Sequence, residues 1–144
     1  MAERSEHVLL NHLVETCRDG EHGFRHAAAQ VKDPGVKALL LELAEQRARF
    51  ASELLPHAQR LGGDAPQDGT RAAALHRSWM NLKGMLSGHS DAAIVTEAER
   101  GDSYTVSAYQ EAVASMLPPE SRDLIEGQFA AVRQAFDKLR AVAT

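Results

Sequence analysis

Apolar residues return at alternating steps of three and four in four stretches of the chain. One runs Leu10, Leu13, Cys17, Gly20, Phe24, Ala27, Val31. A second runs Val36, Leu40, Leu43, Arg47, Phe50, Leu54, His57, Leu61. A third runs Val95, Glu99, Asp102, Val106, Tyr109, Val113, Met116, and a fourth Ile125, Phe129, Val132, Phe136, Leu139, Ala143. That spacing keeps one face of a helix turned toward a neighbour along its whole length, the packing of near-parallel helical bundles. A shorter stretch, Leu75, Trp79, Leu82, Leu86, is apolar on one side only and predicts a helix lying against the bundle.

Helix-breaking residues set the boundaries. Asp33-Pro34 separates the first two stretches: Asp33 is suited to cap a helix and Pro34 to occupy its first position. Gly62-Gly63 stops the second, with 65–69 as loop, Ser87-Gly88 ends the connector, and Ser90 or Asp91 caps the next helix. Pro118-Pro119 closes that helix and opens the last, with Glu120 in its first turn, where the helix dipole favours an anion. The predicted elements are α1 over about 4–32, α2 over 34–61, α3 over 70–86, α4 over 91–116 and α5 over 119–142. Pro56 falls inside α2 and is expected to kink its last turns.

Loop lengths predict the topology. The tight α1–α2 and α4–α5 turns make two antiparallel hairpins. A connector of about 17 residues, rising 1.5 Å each, spans roughly 25 Å and returns along the bundle. That leaves α2 and α4 parallel, with a crossover between the hairpins. A weak internal repeat agrees: Asp19-Gly20-Glu21 parallels Arg100-Gly101-Asp102, and Glu42 and Arg49 follow Pro34 at the spacing at which Glu126 and Arg133 follow Pro118. The expected class is an all-α, ferritin-like four-helix bundle with a short fifth helix, forming one domain over 1–144.

Composition narrows the function. The chain has 144 residues, 44% apolar and 25% charged, with a formal net charge of −4. No basic stripe is present, so binding to nucleic acid through its phosphates is not expected. The longest apolar runs are far too short to cross a bilayer, and no signal peptide is visible. A single cysteine, Cys17, forms no intrachain disulfide, and a cytoplasmic location is expected. Glycine-rich phosphate loops, nucleophile elbows and zinc-finger spacings are missing from the sequence.

Three segments, Asp19-Gly20-Glu21-His22-Gly23-Phe24, Leu75 to Lys83 around Trp79, and Glu99-Arg100-Gly101-Asp102, resemble a bacterial domain-of-unknown-function family described as ferritin-like. The resemblance spans about 8–142. It implies a four-helix bundle and a bacterial, cytoplasmic setting, and it implies no activity.

Ferritin-like di-iron proteins take one Glu from each of two helices and a Glu-x-x-His from each of the other two. Neither α2 nor α5 carries a Glu-x-x-His, and the inward positions of α5 include Phe129 and Val132, which bind no metal. What remains is a set of charges on inward or flanking positions: Glu99 and Asp102 on α4, Arg47 on α2, and Glu21 beside the seam of α1. Counted from the turns, they fall near mid-bundle. Buried charges must be paired, protonated or ligated. Two arrangements satisfy that demand: an ion pair of Arg47 with a carboxylate, or a carboxylate site of Glu21, Glu99 and Asp102 for a cation such as Fe or Mn, which Arg47 would oppose. Gly20 and Gly101 either let helices approach or make room for a ligand. His22 and His26 share a spacing that could chelate a metal but are expected on a solvated face. Glu45 and Arg49 are expected to pair on the surface of α2.

The function expected is that of a structural, interaction or stress-associated bundle without enzymatic activity and without a bound cofactor, for which a homodimer is a candidate assembly. The alternatives are an oxidase-like or storage-like carboxylate metal protein and a bundle that binds a small molecule where the connector crosses near Trp79.

Overall fold

Residues 2–60, 69–85 and 88–143 are described in a computed structural model. Among them five helices follow in order: α1 (Ala2–Gln30), α2 (Pro34–Arg60), α3 (Gly69–Gly84), α4 (Asp91–Val113) and α5 (Pro119–Ala143). The expected Gly62-Gly63 stop, Leu61, Leu86 and Ser87 lie outside the described residues. No helix among the described residues is long and apolar enough to cross a membrane.

Capping explains the turns. Asp33 Oδ1 accepts from the amides of Gly35 (2.8 Å) and Val36 (3.1 Å), meeting two of the unpaired donors at the start of α2. Ser90 caps α4 through the Ala93 amide at 3.1 Å. Gly88, at φ +104°, takes a positive-φ conformation that L side chains rarely adopt. α2 continues through Pro56 to Arg60.

Asp91 ties the two hairpins together. Its Oδ1 and Oδ2 accept from the amides of Lys32 (2.9 Å) and Asp33 (2.8 Å), so α4 begins beside the α1–α2 turn. At the other end His57 meets Ser121 and Arg60 meets Glu120, so α2 ends where α5 begins. α2 and α4 are therefore parallel, α1 and α5 run the opposite way, and α3 is the crossover, packed on α1 and α4. The backbone bonds from Lys32 and Asp33 hold the Asp91 carboxyl below the usual carboxylate range. A depressed folded pKa means the contribution is complete above the unfolded value and is lost as pH falls through the folded one. The melting-temperature gap between wild type and Asp91→Ala should therefore be open at neutral pH and close as pH falls below the ordinary carboxylate range.

Two apolar clusters fill the bundle. One, toward the α1–α2 turn, centres on Phe24, Leu40, Trp79, Ile94 and Leu139. The other, toward the α4–α5 turn, centres on Leu10, Cys17, Leu54, Tyr109 and Ile125. The seams expected for α1 and α2 are inside at all described positions except Val36 and His57, which are half-buried. The seam of α4 is rotated in part from expectation: Val95, Asp102 and Tyr109 are inside as expected, but the rest of the inner face differs. Ile94, Ala98, Gly101, Thr105, Ala108 and Ala112 are buried, whereas Glu99, Val106 and Val113 stand at the edge and Met116 is 83% exposed beyond the helix end. The reason is that α4 is covered by α1 and α3 as well as α5, and the close neighbours select its small residues. On α5, Phe129 and Phe136 flank a buried row containing Gln128, Val132 and Ala135; Arg133 and Arg140 lie over their rings, covering surface that the core does not.

Candidate functional site

Between the two clusters lies a polar band. Arg47 enters it from α2 and Asp102 from α4, and both side chains are 0% exposed. The guanidinium grips the carboxylate with two bonds: Nη1 donates to Oδ1 and Nη2 donates to Oδ2 at 3.2 Å. Nε donates to Gln46 Oε1 at 3.1 Å, and the guanidinium carbon sits 5.2 Å from the centre of the Phe24 ring. Burial works against the Arg47 charge, but the adjacent, bonded Asp102 outweighs it and raises the pKa above the ordinary arginine value. The planar fork matches a carboxylate edge to edge, which is why arginine rather than lysine suits this position.

A second strand of the band leads outward. Cys17 Sγ is 3.2 Å from the Tyr109 hydroxyl, which donates to Gln128 Oε1 at 2.7 Å. Gln128 Nε2 donates to Glu53 Oε1 at 3.0 Å and to the Phe50 carbonyl at 3.4 Å. Burial pushes the Cys17 thiol up to about 11 and also raises the Tyr109 phenol. A thiol held protonated at neutral pH is a poor nucleophile and a poor metal ligand. Cys17 is thus the core residue that its place on the seam implied.

The three carboxylates expected to converge do not. Only Asp102 is inside. Glu21, with 22% of its side chain exposed, turns along its own helix to Arg25 at 3.0 Å. Glu99, 28% exposed, reaches Arg140 of α5 at 3.5 Å. The rotation of α4 explains the second: turning Asp102 and Gly101 fully inward swings Glu99 to the rim. Among the described residues no three His, Cys, Asp or Glu side chains are grouped to hold a metal ion. A di-iron centre does not fit this donor set, since among the described residues the one buried carboxylate is Asp102 and both its oxygens face a cation already. Glu45 pairs with Arg25 at 3.8 Å rather than with Arg49. His22 is exposed as expected, but His26 is partly buried.

The glycines serve packing. Gly101 and Gly23, on facing helices, clasp the indole of Trp79, which is 0% exposed. A β-carbon on Gly101 would lie 2.6 Å from Trp79 Cδ2 and Cε3, and one on Gly23 would collide with Cε3. The Phe24 ring meets the same indole edge to face at 5.4 Å. Where α3 crosses the bundle, the space near Trp79 is thus filled by the indole itself. At Gly20 a β-carbon would stand 3.6 Å from Arg47 Cγ, an ordinary contact, so its lack of a side chain is not needed there. Gly23 and Gln128 were not singled out from the sequence. Gly23 had a signal, a glycine inside a helix one turn from Gly20; Gln128 had none, being a polar residue next to the more conspicuous Phe129.

The fold and the band together define a ferritin-like helical bundle whose mid-height holds an arginine–aspartate pair. Residues 6–115 match the family described as a domain of unknown function (DUF2383), and the chain belongs to that family. Its fold is similar to that in the crystal structure of a two-domain protein from Anabaena variabilis containing dj-1/thij/pfpi-like and ferritin-like domains. The two share 16% identity with a TM-score of 0.74, over 97% of this chain and 39% of the Anabaena chain. This chain therefore spans well under half the length of that protein. No curated protein matches the sequence.

Proposed function

We propose that this chain acts as an interaction bundle that has given up metal chemistry, working through its surface rather than through a reactive centre. The observation that supports this reading is the fully buried, doubly bonded Arg47–Asp102 pair, which places a fixed cation at mid-bundle. A guanidinium there satisfies the carboxylate and repels a metal ion. Glu21 and Glu99 are turned to arginines on the flanks, which weighs against the carboxylate-site alternative. In the Anabaena protein a ferritin-like domain shares a chain with a dj-1/thij/pfpi-like domain, an arrangement in keeping with a bundle that works beside another protein surface. A cytoplasmic, reducing setting suits the buried lone thiol. A role in stress would rest on fold analogy alone, and no residue described above carries it.

Elemental analysis of the chain purified without chelator tests the proposal. We expect no stoichiometric Fe or Mn, and no change in metal content in Asp102→Ala. One equivalent of either metal that disappears in Asp102→Ala would defeat the reading.

A further inference from the structure

The bundle is unevenly covered. α3 fills the groove between α1 and α4 with Leu75, Trp79 and Leu82, whereas α2 and α5 meet sparsely and leave a groove of about 220 Å³ on another side of the bundle. Its floor is apolar, with Leu43 and Ala135 only 3% and 4% exposed. Its α2 wall presents Glu42, Glu45, Gln46 and Arg49, and its α5 wall Gln134 and Lys138. We propose that this groove is the face through which two copies of the chain form a two-fold dimer.

The occupant follows from the order of charges. Positions 42, 45, 46 and 49 form one helical face, and a two-fold axis crossing between Glu45 and Gln46 lays that face antiparallel on its own copy. Glu42 then meets the partner's Arg49, and Arg49 meets the partner's Glu42. At the centre Glu45 meets the partner's Gln46, a carboxylate against an amide donor. Opposite charges at the two ends, about 10 Å apart along the helix, are what a self-complementary face needs.

The second helix obeys the same axis. The pairs His57–Ser121, Glu53–Gln128 and Arg60–Glu120 fix the register of α2 against α5. Carried up the bundle, that register sets Glu45–Gln46 level with Gln134–Ala135. A single axis therefore passes through the middle of both walls, Gln134 comes to the centre, and Lys138 lies over the partner's Ala131 instead of a like charge. No ion pair at 4.0 Å or less engages Glu42, Arg49 or Lys138 among the described residues, so these charges are available to a partner. The small apolar floor and charged walls describe a modest, salt-sensitive association.

The inference rests on the reading of the chain as an interaction bundle. Sedimentation velocity over a concentration series, with circular dichroism to confirm folding, tests it on the full chain. Wild type should pass from monomer to dimer. Arg49→Glu should weaken the dimer about tenfold or more by setting Glu42 against a like charge. Adding Glu42→Arg to Arg49→Glu reverses both ends and should restore association. A wild type that stays monomeric at every concentration overturns the proposal, as does a dimer indifferent to Arg49→Glu or a double variant no better than the single. A metal-free monomer would remove the dimer while leaving the interaction reading standing, and a stoichiometric metal would remove that reading whatever the oligomer.

Discussion

Arg47→Ala is expected to destabilise the chain by about 3–5 kcal/mol, because it strands the Asp102 carboxylate in a bundle interior that admits no water to its side chain. Arg49→Ala, two residues along the same helix, is expected to cost within about 0.5 kcal/mol. Arg49 is exposed, lies over the Phe50 ring at 5.5 Å and holds no carboxylate partner within 4.0 Å among the described residues. Both substitutions remove the same atoms and the same charge from the same helix, so helix propensity and unfolded-state effects nearly cancel in the comparison. Urea titration of the two variants, read at the midpoint with the slope held in view, measures the difference. Equal losses would mean that the inward and outward faces of α2 have no energetic distinction.

Gly101→Ala should also be costly, and against the usual sign. In an exposed helix a glycine-to-alanine change gains about 1 kcal/mol. Here the new methyl would enter the Trp79 ring, which is pinned from the other side by Gly23, so nothing can yield without lifting α3 from the bundle. Overpacking of that kind costs about 1–3 kcal/mol, and the loss must also cancel the propensity gain. Trp79→Ala alone should cost about 3–5 kcal/mol by emptying the clasp. Combined with Trp79→Ala, Gly101→Ala should become neutral or stabilising, because the atom it struck is gone. Thermal melts of the two singles and the double give the coupling; additive losses would show that the indole and the glycine do not share the space described.

Much of the fold was legible in the sequence because its signals are local. Asp33-Pro34, Ser90-Asp91 and Pro118-Pro119 start helices through caps and fixed backbone angles, and those starts fall where the residues put them. The α1 and α2 seams read well because each of those helices buries large residues at a three-and-four spacing. α4 read only in part: Val95, Asp102 and Tyr109 are inside as expected, but much of the remaining inner face is Ala98, Gly101, Ala108 and Ala112, residues that packing selects for being small and that hydrophobicity scarcely marks. Three apolar residues of the expected seam, Val106, Val113 and Met116, are at the edge or outside. The error carried into the site. With α4 set on the larger residues, Glu99 faced inward with Asp102; with its true face, only Asp102 does.

The ion pair itself was visible as a charged residue on each of two apolar seams, Arg47 and Asp102, at the same height. The clasp around Trp79 was half visible. The Trp79 segment and Gly101 both stood out, but nothing local joins residues 22 positions apart, and Gly23 gained meaning only when α3 was laid across both helices. The continuation from Cys17 through Tyr109 to Gln128 and Glu53 was hidden for the same reason: four different helices supply it, and Gln128 has no periodic signature of its own.

The urea comparison that opened with Arg47 becomes decisive when Asp102 joins it as Arg47→Met, Asp102→Leu and the two together. If a guanidinium rather than a metal neutralises the mid-bundle carboxylate, each single variant leaves one unpaired charge in the core and loses several kcal/mol, while the double removes both charges and recovers most of that loss. Losses that simply sum, or an Asp102→Leu variant as stable as wild type, would contradict it.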